Sequence, residues 1–130
     1  VMVNDKYSEA IRSQYRKLEV TFDGELIDAV RAEYILNAIE KDLLLENVIK
    51  KSKTLRAELS NMFDNYRSVG HLVAFDFSER KKRDDFVNKS YSNFLLVNPT
   101  NEKSLRLRPN LAFSDNELDE LLDKIKKARK

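Results

Sequence analysis

Two arginines near the carboxyl end of the chain have the residue type and spacing that suit chemistry best. Arg106 and Arg108 lie in residues 104–108, where polar and apolar residues alternate as in a strand with one buried face. Leu105 and Leu107 would then face the core, and the arginines the opposite side. A guanidinium offers two parallel donors to a planar carboxylate, so Arg106 is the candidate for binding a substrate carboxylate. The alternative is an arginine on the solvated face of an edge strand, which is favoured for Arg108.

The rest of the composition excludes several kinds of site. The chain has no cysteine and one histidine, His71, which excludes thiolate chemistry and a histidine-rich metal site. We expect His71 at the surface or partly buried. The basic run at residues 80–83 is flanked by acidic residues, so it predicts a solvated helix face and no nucleic-acid partner. With 24 basic and 22 acidic residues, the net charge of +2 favours no charged partner.

The hydropathy pattern predicts no membrane partner. No apolar run approaches the about 18 residues that a spanning helix needs, and no signal-peptide pattern is present. We therefore expect a cytoplasmic protein.

The strands and helices that the sequence pattern predicts around the arginines indicate an α+β fold. Strands are expected at residues 71–77, 94–97 and 104–108, with a turn at 65–70, a helix at 79–91 and a final helix after Ser114. This gives a small three-stranded sheet in the order β-α-β-β-α. Two long consecutive helices precede it, from residue 25 to about 40 and from about 45 to 63. We divide the chain into residues 1–24 and a domain of residues 25–130.

Capping residues support two of these helix starts. Ser114 and Glu117 have the Ser-x-x-Glu spacing of a capping box, in which each side chain bonds to the other residue's backbone amide. Asp42 is the expected N-cap of the second long helix. A break between the two long helices is therefore predicted near residues 41–42.

The segment LRLRPNLAFSDNELDELLDKI resembles the C-terminal end of the class III, pyridoxal-phosphate-dependent aminotransferases. That family includes ornithine, 4-aminobutyrate and lysine 6-aminotransferases, and it closes with an R-x-x-P strand, a short apolar loop and an acidic helix. The doubled arginine is most similar to the lysine 6- and 4-aminobutyrate members. Four further segments resemble the family in the correct order: VMVNDKYSEAIRSQ, VTFDGELIDAVRAEYILNAIEKDLLLENV, GHLVAFDF and FLLVNPTNEKSLRLRP.

The resemblance implies roles for two residues. Arg106 would hold the α-carboxylate of an amino acid or 2-oxo acid, and Thr21 would reach across a homodimer interface to the phosphate of pyridoxal 5'-phosphate. The chain departs from the family's S-T-W-G-G-N motif around Thr21. Val20, Asp23 and Glu25 replace a serine, a glycine and the asparagine. The two carboxylates would repel a phosphate unless they turn away from it.

The resemblance also implies that essential parts lie before Val1. These are the Schiff-base lysine, the acid on the pyridine nitrogen and a glycine-rich phosphate turn, and the opening Val-Met-Val reads as the end of a strand. We therefore expect the C-terminal small domain of a fold-type I enzyme, whose missing large domain is its partner. The intact enzyme would transfer an amino group from a lysine-like terminal amine to 2-oxoglutarate. Alone, the chain is expected to be inactive, with no bound cofactor and no metal.

A second hypothesis is a non-catalytic α+β interaction or regulatory module derived from that family. Asp23 and Glu25 motivate it, because they weaken the expected phosphate site.

Overall fold

The computed structural model describes residues 4–9 and 24–130. The chain divides into two compact units, Val1–Leu36 and Asn37–Lys130. In the first unit, a 3₁₀ turn covers Asp5–Tyr7, and helix α1 (Leu26–Lys41) begins after Gly24 and ends in the second unit. The strand expected at residues 1–3 lies outside the described residues, and the domain boundary after residue 24 stays a prediction.

The second unit contains the remaining three helices of the described residues and all of their strands. In chain order these are α2 (Leu44–Leu59), β1 (Asp64–Val69), β2 (Leu72–Asp76), α3 (Arg80–Ser92), β3 (Asn98–Thr100), β4 (Ser104–Leu107) and α4 (Asp115–Arg129). The α+β class is confirmed. In the described part of the chain, every helix is too short or too polar to span a bilayer.

The four strands form one antiparallel sheet in the order β1-β2-β4-β3. The register sets Phe75 of β2 opposite Leu105 of β4, and Ala74 opposite Arg106. Because side chains alternate along a strand, the sheet has one apolar face and one face that carries Arg106. The arginine strand β4 is therefore a central strand with neighbours on both sides, not an edge strand.

The core lies between the apolar face of the sheet and the helices. Phe63 stacks on Phe75 with ring centroids 4.0 Å apart, and Phe86 meets Phe63 edge-on at 5.6 Å. The residues with no exposed surface include Leu55, Leu59, Phe75, Leu105 and Ile125. Burying one such side chain contributes roughly 1.5–3 kcal/mol. These contacts fix β4 from its buried side.

Two segments differ from the predicted strands. Residues 65–70, predicted as a turn, form most of β1 and the turn that follows it. Residues 94–97, predicted as a strand, are a loop, and β3 begins at Asn98 instead. The first error arose because β1 is an edge strand with mostly exposed residues, so its polar composition resembles that of a turn. The second arose because Phe94 adopts φ +56° at the end of α3, which leaves its aromatic ring exposed.

The observed start of α4 agrees with the prediction from the sequence, and the observed N-cap of α2 differs from it. Ser114 and Glu117 form the predicted capping box. The break between α1 and α2 lies close to its predicted place, but Leu43 is the N-cap and makes no side-chain cap bond. Its left-handed backbone, with φ +50°, separates the two helices, so Asp42 is not the cap.

Candidate functional site

Strand β4 presents Arg106 on the face of the sheet opposite the core. Leu105 and Leu107 on either side are buried, and the guanidinium is exposed. Across the sheet, the neighbours of Arg106 are Ala74 on β2 and Asn98 on β3. The small side chain of Ala74 leaves space beside the long arginine.

The guanidinium of Arg106 has a neutral hydrogen-bond partner. With the Asn98 amide oxygen turned toward it, Arg106 Nη2 donates to that oxygen at 3.2 Å, and the Asn98 amide nitrogen donates to the Pro99 carbonyl at 3.1 Å. Within the described residues, no carboxylate lies within ion-pairing distance of Arg106. An arginine that is exposed and tied only to an amide keeps donors for an incoming carboxylate.

Arg106 and Arg108 border two open depressions. One, of about 600 Å³, lies over β1 and β2 and is lined on its apolar side by Val69, Leu72 and Ala74. The other, of about 570 Å³, is walled by apolar residues of the loops that flank the sheet, Leu95, Leu96, Val97, Pro109 and Phe113 among them. A carboxylate at Arg106 would therefore have an apolar surface for its carbon chain on either side.

A hydrogen-bonded network on the same sheet face holds the start of β4. Ser104 Oγ donates to Asp76 Oδ1 at 2.7 Å, Asn65 Nδ2 donates to Asp76 Oδ2 at 2.8 Å, and Arg67 Nη1 pairs with Asp76 Oδ1 at 3.0 Å. Burial by itself raises the pKa of Asp76, but the bonds from Ser104, Asn65 and Arg67 outweigh it and lower that pKa. Asp76 therefore stays ionised and anchors the strand two residues before Arg106.

Two residues with other expected roles are buried. Arg83, predicted on a solvated helix face, lies on the buried face of α3. Its Nε pairs with Asp84 Oδ1 at 2.7 Å, and its Nη1 donates to the Asn101 carbonyl at 3.2 Å. It closes the turn between β3 and β4, which no sequence pattern signalled. His71 is also buried, beyond the partial burial expected, and its Nδ1 lies 3.0 Å from the Asn110 carbonyl.

The predicted phosphate-binding residue, Thr21, is not among the residues whose positions the structure describes. Thr21 lies outside the described residues, as do Val20 and Asp23. Glu25 is described, and it is exposed just before α1. The structure thus brings together Arg106 and Arg108 but leaves the role of Thr21 a prediction.

The described residues do not by themselves suit pyridoxal phosphate. A Schiff base needs a lysine whose amine is free to react, and an amine held in an ion pair with a carboxylate is not. The one buried lysine of the described residues, Lys51, pairs with Asp115 Oδ1 at 3.1 Å and donates to Asn47 Oδ1. Glu25 would add negative charge near a phosphate instead of a donor. No catalytic step through the cofactor follows from this part of the chain.

Comparison with known proteins points to one family. The family described as Aminotransferase class-III matches residues 1–128. The chain is 28% identical over 131 residues to L-lysine-epsilon aminotransferase of Mycobacterium tuberculosis, covering 95% of the chain and 29% of that enzyme. It is 31% identical over 103 residues to acetylornithine aminotransferase of Archaeoglobus fulgidus, covering 79% of the chain and 27% of that enzyme.

A solved structure agrees with the sequence comparison. The lysine aminotransferase from M. tuberculosis matches with a TM-score of 0.81 and 27% identity, covering 95% of this chain and 30% of that chain. An acetylornithine aminotransferase from Elizabethkingia anophelis, at 22% identity and a TM-score of 0.67, shares the fold. The chain therefore spans less than a third of the length of the curated relatives it matches.

Proposed function

The chain belongs to the class III aminotransferases, and from this premise we propose that it supplies Arg106 as the substrate-carboxylate residue of such an enzyme. The single observation that carries the proposal is the exposed Arg106 guanidinium on central strand β4, with an amide as its partner and an apolar depression on each side. A bidentate carboxylate–guanidinium contact fixes both the charge and the orientation of an acid. A central strand holds that contact more rigidly than a loop.

The role of this chain is to bind and orient. The family implies pyridoxal phosphate in the intact enzyme, where the cofactor supplies the electron sink for amino transfer. In our proposal Arg106 holds the α-carboxylate in one orientation, which would lower the entropy cost of the reaction. Thr21 is proposed to contribute its hydroxyl to the cofactor phosphate of the other subunit of a homodimer.

We propose a lysine-like terminal amine as the amino donor and 2-oxoglutarate as the acceptor. Relatives named L-lysine-epsilon aminotransferase support this choice, since several of them match 82–95% of the chain. In this proposal the partner of the chain is a large domain that carries the Schiff-base lysine, and the chain alone does not transaminate. The cytoplasmic location stays a prediction.

The test is Arg106→Gln in the complete aminotransferase, with chain and large domain together. Losing a charge-assisted bond of about 1.5–3 kcal/mol should raise KM for 2-oxoglutarate about 10- to 150-fold. Arg108→Gln is the matched control, since it removes the same charge two residues away, and we expect a change of about threefold or less. Steady-state kinetics with each substrate varied in turn measures both variants.

Two outcomes would contradict the proposal in different ways. If Arg108→Gln raises KM and Arg106→Gln does not, the wrong arginine was assigned. If the complete protein carries out no amino transfer with any amino acid and 2-oxo acid pair, the non-catalytic module becomes the better description.

A further inference from the structure

The loop that follows the arginine strand is held by side chains from outside it. This post-arginine loop, residues 109–113, directly follows Arg108 and has no regular secondary structure. Asn47 on α2 donates its amide Nδ2 to two of the loop's carbonyls, at 2.8 Å to Leu111 and 3.1 Å to Phe113. A loop carbonyl that accepts a fixed side-chain donor cannot move freely without losing that bond. Asn47 thus fixes the far half of the loop.

Lys51 decides which way the Asn47 amide points. Its ammonium donates to Asn47 Oδ1 from one helical turn further along α2. With the oxygen taken by Lys51, the NH₂ group of Asn47 faces the loop carbonyls. Lys51 is itself buried, 4% exposed, and pairs with Asp115 at the start of α4. A charged side chain held in this way favours one orientation of the Asn47 amide.

A third side chain fixes the near half of the same loop. The ring nitrogen Nδ1 of buried His71 lies 3.0 Å from the Asn110 carbonyl, and the ring meets Phe113 edge-on with centroids 6.1 Å apart. Three loop carbonyls are therefore bonded by two side chains that are distant in sequence. We name Asn47, Lys51 and His71 the loop clamp.

The post-arginine loop also forms part of the candidate site. Pro109 and Phe113 line the 570 Å³ depression together with Arg106 and Arg108. Any shift of the loop would move that wall relative to the guanidinium, and a misplacement of about 1 Å can cost up to about 100-fold in rate in an enzyme site. The contacts of the loop clamp oppose such a shift, because moving the loop would break them.

We propose that Asn47 and Lys51 are positioning residues for substrate-carboxylate binding. They hold the post-arginine loop as a fixed wall of the depression beside Arg106, and His71 supports the other end of the loop. This inference rests on the proposed function of Arg106. Neither residue lines the depressions beside Arg106, so their effect would reach a bound carboxylate only through the loop.

Lys51→Met and Asn47→Asp in the complete aminotransferase test the inference. Lys51→Met keeps the length of the side chain but frees the Asn47 amide to rotate, while Asn47→Asp keeps the pair with Lys51 and removes both loop donors. We expect each to raise KM for 2-oxoglutarate about 3- to 10-fold, with kcat changed by about twofold or less. Lys51→Arg, which retains a donor and the charge, should restore most of the binding.

Lys50→Met is the matched control. Lys50 is the exposed neighbour of Lys51 and pairs with Asp115 at 3.4 Å, and in the described residues it does not bond to Asn47. This variant should leave KM unchanged. Amide hydrogen exchange in the chain itself gives a second readout, in which residues 110–113 should exchange faster in Lys51→Met and Asn47→Asp than in Lys50→Met.

The outcomes separate this inference from the proposed function. If Arg106→Gln raises KM while both clamp variants leave KM and loop exchange unchanged, the positioning role is wrong and the proposed function stands. If clamp variants lower only the unfolding midpoint, the clamp is structural and the inference also fails. If Arg106→Gln itself has no effect on KM, the proposed function fails and the positioning role fails with it.

Discussion

Three arginines at the sheet, Arg67, Arg83 and Arg106, differ in what their guanidinium groups contact. Arg67 pairs with Asp76, and Arg83 is buried against Asp84 and the Asn101 carbonyl. Arg106 is exposed and lies beside the Asn98 amide, to whose oxygen it donates when that oxygen is turned toward it. The positive charge of a guanidinium that is paired with a fixed carboxylate is largely neutralised, so it binds a further anion weakly. At the scale of single residues, the contacts leave Arg106 as the one of these three arginines that is open to a further anion, as our proposal requires.

Asp76 gives a pH prediction at this scale. Its folded pKa is lowered, because bonds from Ser104, Asn65 and Arg67 outweigh the effect of burial, so its ionised form stabilises the fold. That stability is complete above the unfolded pKa of about 3.9 and is lost as the pH falls through the lower folded value. We expect the urea midpoint of the chain to fall below about pH 4, with a smaller fall in Asp76→Asn.

Asp76→Asn should also lower the free energy of unfolding at pH 7 by about 1–3 kcal/mol, since bonds to a charged acceptor are replaced by weaker ones. Glu102→Gln is the control, because Glu102 is exposed in the turn before β4 and makes no ion pair within the described residues. Identical pH profiles for the wild type and Asp76→Asn would contradict the assigned network.

At the scale of elements, β4 is positioned from three sides. β2 and β3 pair with its two edges, and the helices cover its apolar face. β1 extends the sheet beyond β2 and supplies Arg67 and Asn65 to the network at the start of β4. The tight turn between β1 and β2 therefore affects the arginine strand indirectly, through the network.

Gly70 in that turn gives a prediction for the hairpin. Its φ is +54°, and a Cβ at this position would lie 2.9 Å from Val48 Cγ1 of α2. Gly70→Ala should destabilise the chain by about 1–3 kcal/mol from the left-handed backbone alone, with the clash adding to it. In urea unfolding, the double variant Val48→Ala/Gly70→Ala should cost less than the sum of the two single variants, because it removes the clash.

If the losses in the free energy of unfolding of the two single variants add up to that of the double variant, the contact with Val48 is not formed. A Gly70→Ala variant as stable as the wild type would contradict the left-handed turn itself.

At the scale of the whole chain, the exposed apolar surface of α1 is the main feature. None of the residues of α1 is buried, although the helix carries Leu26, Ile27, Tyr34 and Ile35, which are 52–76% exposed. Monomeric proteins rarely expose large contiguous apolar surfaces, which usually mark an interface. In our proposed function, the partner that covers this surface is a large domain of the same enzyme.

Without that partner, the chain should associate through α1. We expect sedimentation equilibrium to show concentration-dependent self-association and a hydrophobic dye to bind. Ile27→Glu/Ile35→Glu should reduce both, while Glu33→Gln on the same helix should reduce neither. A chain that stays monomeric at every concentration and binds no dye would show that α1 is not an interface.

The sequence alone determined the parts of this protein that depend on neighbouring residues. Alternation in residues 104–108 correctly placed Leu105 and Leu107 in the core and Arg106 outside it, and Ser114 with Glu117 signalled the capping box. Both patterns are local, because strand alternation and helix capping act over two to four residues. The order of motifs along the chain also identified the family, which the comparison confirmed.

The contacts that join distant segments became visible only in the folded protein. It showed that β4 is central, that β1 is a strand, and that Arg83 is buried. It also brought Asn47 and His71 to a loop 39–66 residues away in sequence. No local pattern signals these contacts, because a polar residue bonded to a distant carbonyl has the same sequence context as one in water. The physical reason is that burial and pairing depend on which segments meet in space.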